Sequence, residues 1–145
     1  MPLTLTVTEG VLPGGSEAAT FTRLSDAMLR WTGAAGNTFL TPMVVGSVNV
    51  VPRGLTFSGS VAAPLALIEW KMPGIAFVSR EVQIGYIAEA TEIVHEMSGG
   101  RQPREGIWVN VVHAVDGGWG VAGVALTNRE IEDAAVRGAA PPARA

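Results

Sequence analysis

Apolar and polar residues alternate from the first positions of the chain. Leu3, Leu5 and Val7 interleave with Thr4, Thr6 and Thr8, a period of two that predicts a strand buried on one face. After the break Gly10-Val11-Leu12-Pro13-Gly14-Gly15 the period changes. Phe21, Leu24, Met28 and Trp31 fall three, four and three apart, one stripe of a helix, with Arg23, Asp26 and Arg30 off it. Ser16 is placed to cap that helix, Glu17 lies near its positive end, and Gly33 closes it. Residues 34–42 connect to a second strand at 44–51, which Pro52-Arg53-Gly54 ends; 55–63 read as a loop or a short irregular strand.

The pattern then begins again. Residues 64–71 predict a strand, broken by Met72-Pro73-Gly74. Ser79 can cap a second helix whose inner stripe is Val82, Tyr86, Ala90, Ile93 and Met97, with Ile87 and Val94 beside it and Gly99-Gly100 as its stop. Residues 107–113 predict another strand. Asp116-Gly117-Gly118 predicts a turn and 121–126 a short returning strand. Thr127 with Glu130 is a capping-box signature for a short last helix. Residues 138–145, with Pro141-Pro142, read as a disordered tail.

Two short runs recur. Pro2-Leu3 returns as Pro64-Leu65 (64 − 2 = 62), and Val48-Asn49-Val50-Val51 returns as Val109-Asn110-Val111-Val112 (109 − 48 = 61). Each half reads strand, helix, strand, and a right-handed crossover makes its two strands parallel. The expected fold is α/β: two fused β-α-β units (2–63 and 64–126) forming one four-stranded sheet with two helices on one face, plus a C-terminal β-hairpin, in a single domain over 1–137. The other sheet face has no helices, so its apolar residues need a neighbouring subunit.

Composition narrows the chemistry. The chain has 145 residues, 48% hydrophobic and 16% charged, with net charge −3 and no cysteine. So apolar a surface points to burial between subunits. No basic stripe offers a nucleic-acid surface. Thiol chemistry and disulfides are excluded, and His95 and His113 are too few for a histidine-rich metal centre. No apolar run reaches the length of a membrane span, and no signal-peptide pattern leads the chain, so a cytoplasmic protein is expected. Gly118-Trp119-Gly120-Val121-Ala122-Gly123 spells a dinucleotide pattern, but too little chain follows for the β-α-β unit that pattern needs. No cofactor is expected.

Pro2 is the candidate for chemistry, although in most chains that begin Met-Pro the proline does nothing. Methionine followed by a small residue is normally clipped, which would leave Pro2 with a secondary amine at the head of a rigid strand. A proline after the initiator Met, a duplicated β-α-β unit and the late Gly-Trp-Gly-Val-Ala-Gly hairpin together resemble the tautomerase superfamily, from Pro2 to about Leu126. That superfamily includes 4-oxalocrotonate tautomerase, macrophage migration inhibitory factor, malonate semialdehyde decarboxylase and the chloroacrylic acid dehalogenases. The resemblance implies a homotrimer with the proline in a pocket near a subunit interface, acting as base in tautomerases and as acid in the dehalogenases and decarboxylase.

It implies site residues too, with departures. Glu9-Gly10-Val11 stands where the small tautomerases carry an arginine, and Asn49 and Asn110 stand where they carry another. Asn110 with Trp108 matches an asparagine and tyrosine of macrophage migration inhibitory factor. Lys71 matches the first of two decarboxylase arginines, and Pro73 replaces the second. That enzyme's catalytic aspartate would fall near Asn37-Thr38, where there is no acid. Trp119 matches the aromatic pocket residue of the hairpin.

The implied activity is cofactor-free keto–enol proton transfer on a small 2-oxo or enol acid, with Pro2 catalytic and Lys71, Asn110, Trp108 and Trp119 binding substrate. The alternatives are proline-assisted hydration, dehalogenation or decarboxylation, or an inactive trimeric relative. Lys71 holds a carboxylate or points into water. Asn110 donates to an enolate oxygen or bonds backbone, as its twin Asn49 would. Trp119 is a lid or hairpin packing. Arg53 is a candidate for a second carboxylate contact.

Overall fold

The computed structural model describes residues 1–139. The expected order of elements along the chain is realised, with some boundaries moved. β1 (Pro2–Thr8) leads to α1 (Glu17–Trp31), a short 3-10 turn at Thr41–Met43 and β2 (Val45–Val51). A two-residue ribbon, β3 (Phe57–Ser58) with β4 (Val61–Ala62), occupies the stretch between the halves. Then come β5 (Ala66–Pro73), α2 (Arg80–Met97), β6 (Ile107–Ala114), the hairpin β7 (Trp119–Val121) and β8 (Val124–Leu126), and α3 (Asn128–Arg137). The main sheet runs β2-β1-β5-β6. β1 is parallel to β2, β5 is parallel to β6, and the two halves meet antiparallel along β1 and β5.

Burial follows the period of two. Leu3, Leu5 and Val7 of β1 and Ala66, Ile68, Trp70 and Met72 of β5 are buried under the helices. Leu24, Ala27 and Met28 of α1 and Tyr86, Ala90, Ile93 and Val94 of α2 close over them. Each large side chain buried there contributes about 1.5–3 kcal/mol. Trp70 donates its indole N–H to the Tyr86 hydroxyl at 2.6 Å, and Phe77 meets the same tyrosine edge-on. Burial pushes the Tyr86 phenol far above its ordinary value. Ile87, expected beside the inner stripe, is instead exposed.

Several local expectations are corrected. Ser16 and Ser79 precede their helices but make no side-chain cap; the Ser16 hydroxyl donates to the Pro13 carbonyl instead. Thr127 and Glu130 do form the capping box of α3. β5 continues through Met72-Pro73 rather than breaking there. The chain does turn at 116–118, where the Gly118 amide donates to the Val115 carbonyl at 2.8 Å, but the strand expected over 121–126 is itself part of a hairpin that turns at Ala122-Gly123, both with positive φ (51° and 79°); a two-residue turn of that hand matches strand twist. Gly138, expected in the tail, is buried and its carbonyl accepts from the Thr38 amide at 2.8 Å. The rest of the expected tail, from residue 140, lies outside the described residues.

The repeat also needs re-phasing. Helix-facing residues are odd-numbered in β1 and even-numbered in β5, so equivalent positions differ by an odd number. Val48 pairs with Leu5 and Val109 with Ile68, so the Val-Asn-Val-Val repeat makes Leu5 equivalent to Ile68 (68 − 5 = 63). Pro64 therefore corresponds to Met1, and Leu65 to Pro2. The Pro-Leu echo is one residue out of structural register.

The helix-free face is more polar than expected. Its rows run Val45, Pro2, Lys71, Val112; then Ser47, Thr4, Glu69, Asn110; then Asn49, Thr6, Leu67, Trp108. Apolar exposure concentrates at the edges, where Val45, Trp108 and Val112 are each more than half exposed. Among the described residues no helix is long and apolar enough to cross a membrane.

Candidate active site

β1 starts at Pro2, which is half-buried. Met1 ahead of it turns into the helix layer and is only 4% exposed, and its terminal ammonium donates to the Met43 carbonyl. Met1 also lines a cavity of about 310 Å³. The cavity walls are Trp31 at the end of α1, Leu40 before β2, Phe77 and Val82 at the entry to α2, and Ile131 and Glu132 of α3. Met1, bonded to the Pro2 nitrogen, thus borders an apolar hollow whose sole acidic or basic lining side chain among the described residues is Glu132. An amine fares as a cation poorly here: burial brings the Met1 amine down from 8.0 to about 5.

The walls are held from outside the hollow. Phe77 has φ +60°, a left-handed conformation that strains a bulky residue. Gln83 Nε2 donates to its carbonyl at 3.1 Å. His113 Nε2 donates to the Ala76 carbonyl at 2.7 Å, so this exposed histidine near the end of β6 braces the wall. Asn37 Nδ2 donates to the Ala135 carbonyl at 2.8 Å and ties α3 to the connector. Trp31 lies flat over Gly85 and donates to Glu89 at 2.8 Å. A Cβ at Gly85 would come within 2.1 Å of that indole. Gly85→Ala is therefore expected to tip Trp31 away, cost about 1–3 kcal/mol by overpacking and change the cavity shape. Urea unfolding and tryptophan fluorescence check it.

The five site residues expected from sequence are not all brought together. Leu3 pairs with Trp70, and the same register carried one residue on sets Pro2 opposite Lys71 (3 + 70 = 2 + 71) on the helix-free face. Cross-strand partners stand about 5 Å apart at Cβ. Lys71 is exposed and does not line the cavity. Asn110 is two strands and one row away from Pro2, about 12 Å by strand spacing. Trp108 is a further row off. Trp119 packs against the core and lines no part of the cavity. Arg53 lies at the other end of β1, so it cannot touch a ligand at Pro2 of the same chain.

Sequence reasoning missed Trp31, Leu40, Phe77, Ile131 and Glu132 as walls. Trp31 was visible only as a core-stripe residue. The 73–79 segment read as a break between elements, and nothing along the chain says that α3 folds back across it.

The class defined by this arrangement is a duplicated β-α-β sheet with an apolar cavity at the head of its first strand. Solved structures of the same architecture exist at low identity. Pt0534, inactivated by 2-oxo-3-pentynoate, superposes with TM-score 0.72 at 20% identity over 90% of this chain and 98% of its own. Native fused 4-OT gives 0.72 at 18% over 91% and 99%. N1, a member of the cis-3-chloroacrylic acid dehalogenase family, gives 0.71 at 16% over 91% and 89%. No protein-family model and no curated protein matches the sequence. The resemblance to the tautomerase superfamily thus holds as a fold.

Proposed function

We propose that the processed chain is a cofactor-free enzyme that moves a proton between carbon and oxygen or between two carbons of a small enolisable carbonyl acid. The carrying observation is that Met1, whose removal would free the Pro2 nitrogen, lines an apolar cavity in which burial disfavours the charged form of an amine. Removal of Met1 would convert the Pro2 nitrogen from an amide to a secondary amine and add the volume of a methionine to the hollow. Desolvation disfavours the protonated form and so lowers the amine below its ordinary value. The neutral nitrogen takes a proton from the substrate, an enolate forms, and the prolinium returns the proton to a different atom. Nothing is oxidised or reduced. Lys71, opposite Pro2 on the neighbouring strand but outside the cavity, would supply positive charge to the enolate or carboxylate oxygen from the helix-free face.

Asn110 and Trp108 reach such a site only from a neighbouring protomer, which fits a homotrimer like that named for one fused 4-OT. In such an assembly the helix-free faces would pack together and cover Trp108, Val45 and Val112. A second reading, hydration of an unsaturated acid, is favoured by one observation: Glu132, an exposed residue of α3, borders the cavity, and its carboxylate could direct water. Incorporation of solvent oxygen-18 into product separates the two.

The test is direct. Intact mass must show loss of Met1. The acetylenic acid 2-oxo-3-pentynoate should then leave a single covalent adduct on residue 2. A retained Met1, or an adduct elsewhere, ends the reading.

The pH profile follows from the sign of the shift. Only the unprotonated amine is a base, so kcat/KM for ketonisation rises with pH through the amine pKa and then levels. With that pKa lowered by burial, the plateau is expected to be reached by neutral pH, and phenylenolpyruvate ketonisation between pH 4 and 9 checks it. A limb still rising at pH 9 would mean a solvated proline.

A further inference from the structure

The duplication places a second hollow at the opposite end of the β1–β5 pair, of about 450 Å³. It occupies in the second half the position that the Pro2 cavity occupies in the first. Met1 is replaced by its structural equivalent, Pro64. Leu40, five residues before β2 (45 − 40), is replaced by Gln102, five residues before β6 (107 − 102). The nitrogen at this end lies inside the chain and cannot titrate, so no proton chemistry of the Pro2 kind is available.

Its lining is charged where the other is greasy. Arg53 and Arg101 face it, with Glu9 as the sole carboxylate among the described residues, a net charge of +1 (2 − 1) from these three. Among the described residues neither arginine has an ion pair; the salt bridges use Arg23, Arg30 and Arg104. Arg53 is positioned: its Nε donates to the Glu9 carbonyl at 3.2 Å, and its guanidinium lies over Gly10, where a Cβ would stand 2.5 Å from Nη2. The Gln102 amide is occupied by the Pro64 and Gly106 carbonyls at 3.0 and 3.2 Å, and does not compete. Val11, Ala63 and Pro103 give the rest an apolar wall.

We infer that this second hollow is a non-catalytic binding site for a small carboxylate with an apolar body, clamped by Arg53 and Arg101. The guanidinium fork suits a carboxylate, and the apolar wall suits a carbon skeleton beside it. The inference does not depend on the chemistry of Pro2.

Sodium benzoate, which cannot enolise, is the probe, titrated calorimetrically into the full-length protein. Arg53→Ala and Arg101→Ala are each expected to weaken binding by about tenfold or more, while Pro2→Ala leaves it unchanged. Both arginines are exposed, so the fold survives their loss, and circular dichroism verifies this. A double variant with wild-type affinity and stoichiometry would overturn the inference. So would absence of benzoate binding to the wild type, or competition by inorganic phosphate at equal concentration and equal affinity.

Discussion

Replacing Pro2 with alanine in the processed protein is expected to lower kcat/KM for ketonisation by about 10²–10⁴-fold, the range supplied by one positioned acid–base group. The alanine still permits Met1 removal and still leaves a terminal amine. That amine is primary, with an extra rotatable bond at its head, so both its basicity and its placement change. Stability should barely move, because residue 2 is only half-buried. A folded variant as fast as wild type leaves only a binding or structural role for the assembly. The measurement is steady-state ketonisation alongside thermal melting, so that lost activity is not mistaken for lost fold.

Gly46→Ala is expected to have the largest effect on the fold, about 3 kcal/mol or more. Gly46 lies opposite Leu3 in the parallel β1–β2 pair. A Cβ there would stand 1.9 Å from the Leu3 carbonyl oxygen and 2.9 Å from the Phe21 ring. The first of these is backbone, so no rotamer relieves it; β1 and β2 have to part or α1 has to lift. Leu3 adjoins Pro2, so residual activity should fall along with stability. Gly14→Ala is the control, since nothing stands within 4 Å of that position and its φ is not positive; a surface change of this kind stays within about 0.5 kcal/mol. Urea unfolding midpoints of the two variants compare them, and equal midpoints would refute the argument.

Gly46 and Gly14 look alike in the sequence, and so do the two Pro-Leu pairs. The alternation at Leu3, Leu5 and Val7 and the stripe through Leu24 and Met28 were legible because they depend only on neighbours within a turn or a few residues. So was the capping box at Thr127. The Pro-Leu echo misled because recurring letters carry no information about which face a residue takes; the pairing of Val48 with Leu5 and of Val109 with Ile68 does. Asn110 and Trp108 were chosen by resemblance. One chain leaves them rows away from Pro2, since strand order, not strand content, sets that distance.

The sequence by itself determined the order of the main elements, the buried face of β1 and of α1, and a proline at the head of the first strand. Those properties are local, written in periods of two and near four residues. Only the tertiary structure decided that α3 returns to wall a cavity beside Met1, with Ile131 and Glu132 on its border. It likewise decided that Arg53 belongs to the opposite hollow. Such placements depend on contacts between residues 44 to 98 apart in the chain, as between Glu9 and Arg53 or Asn37 and Ala135, formed by closing long loops around a common core, and no local pattern encodes them.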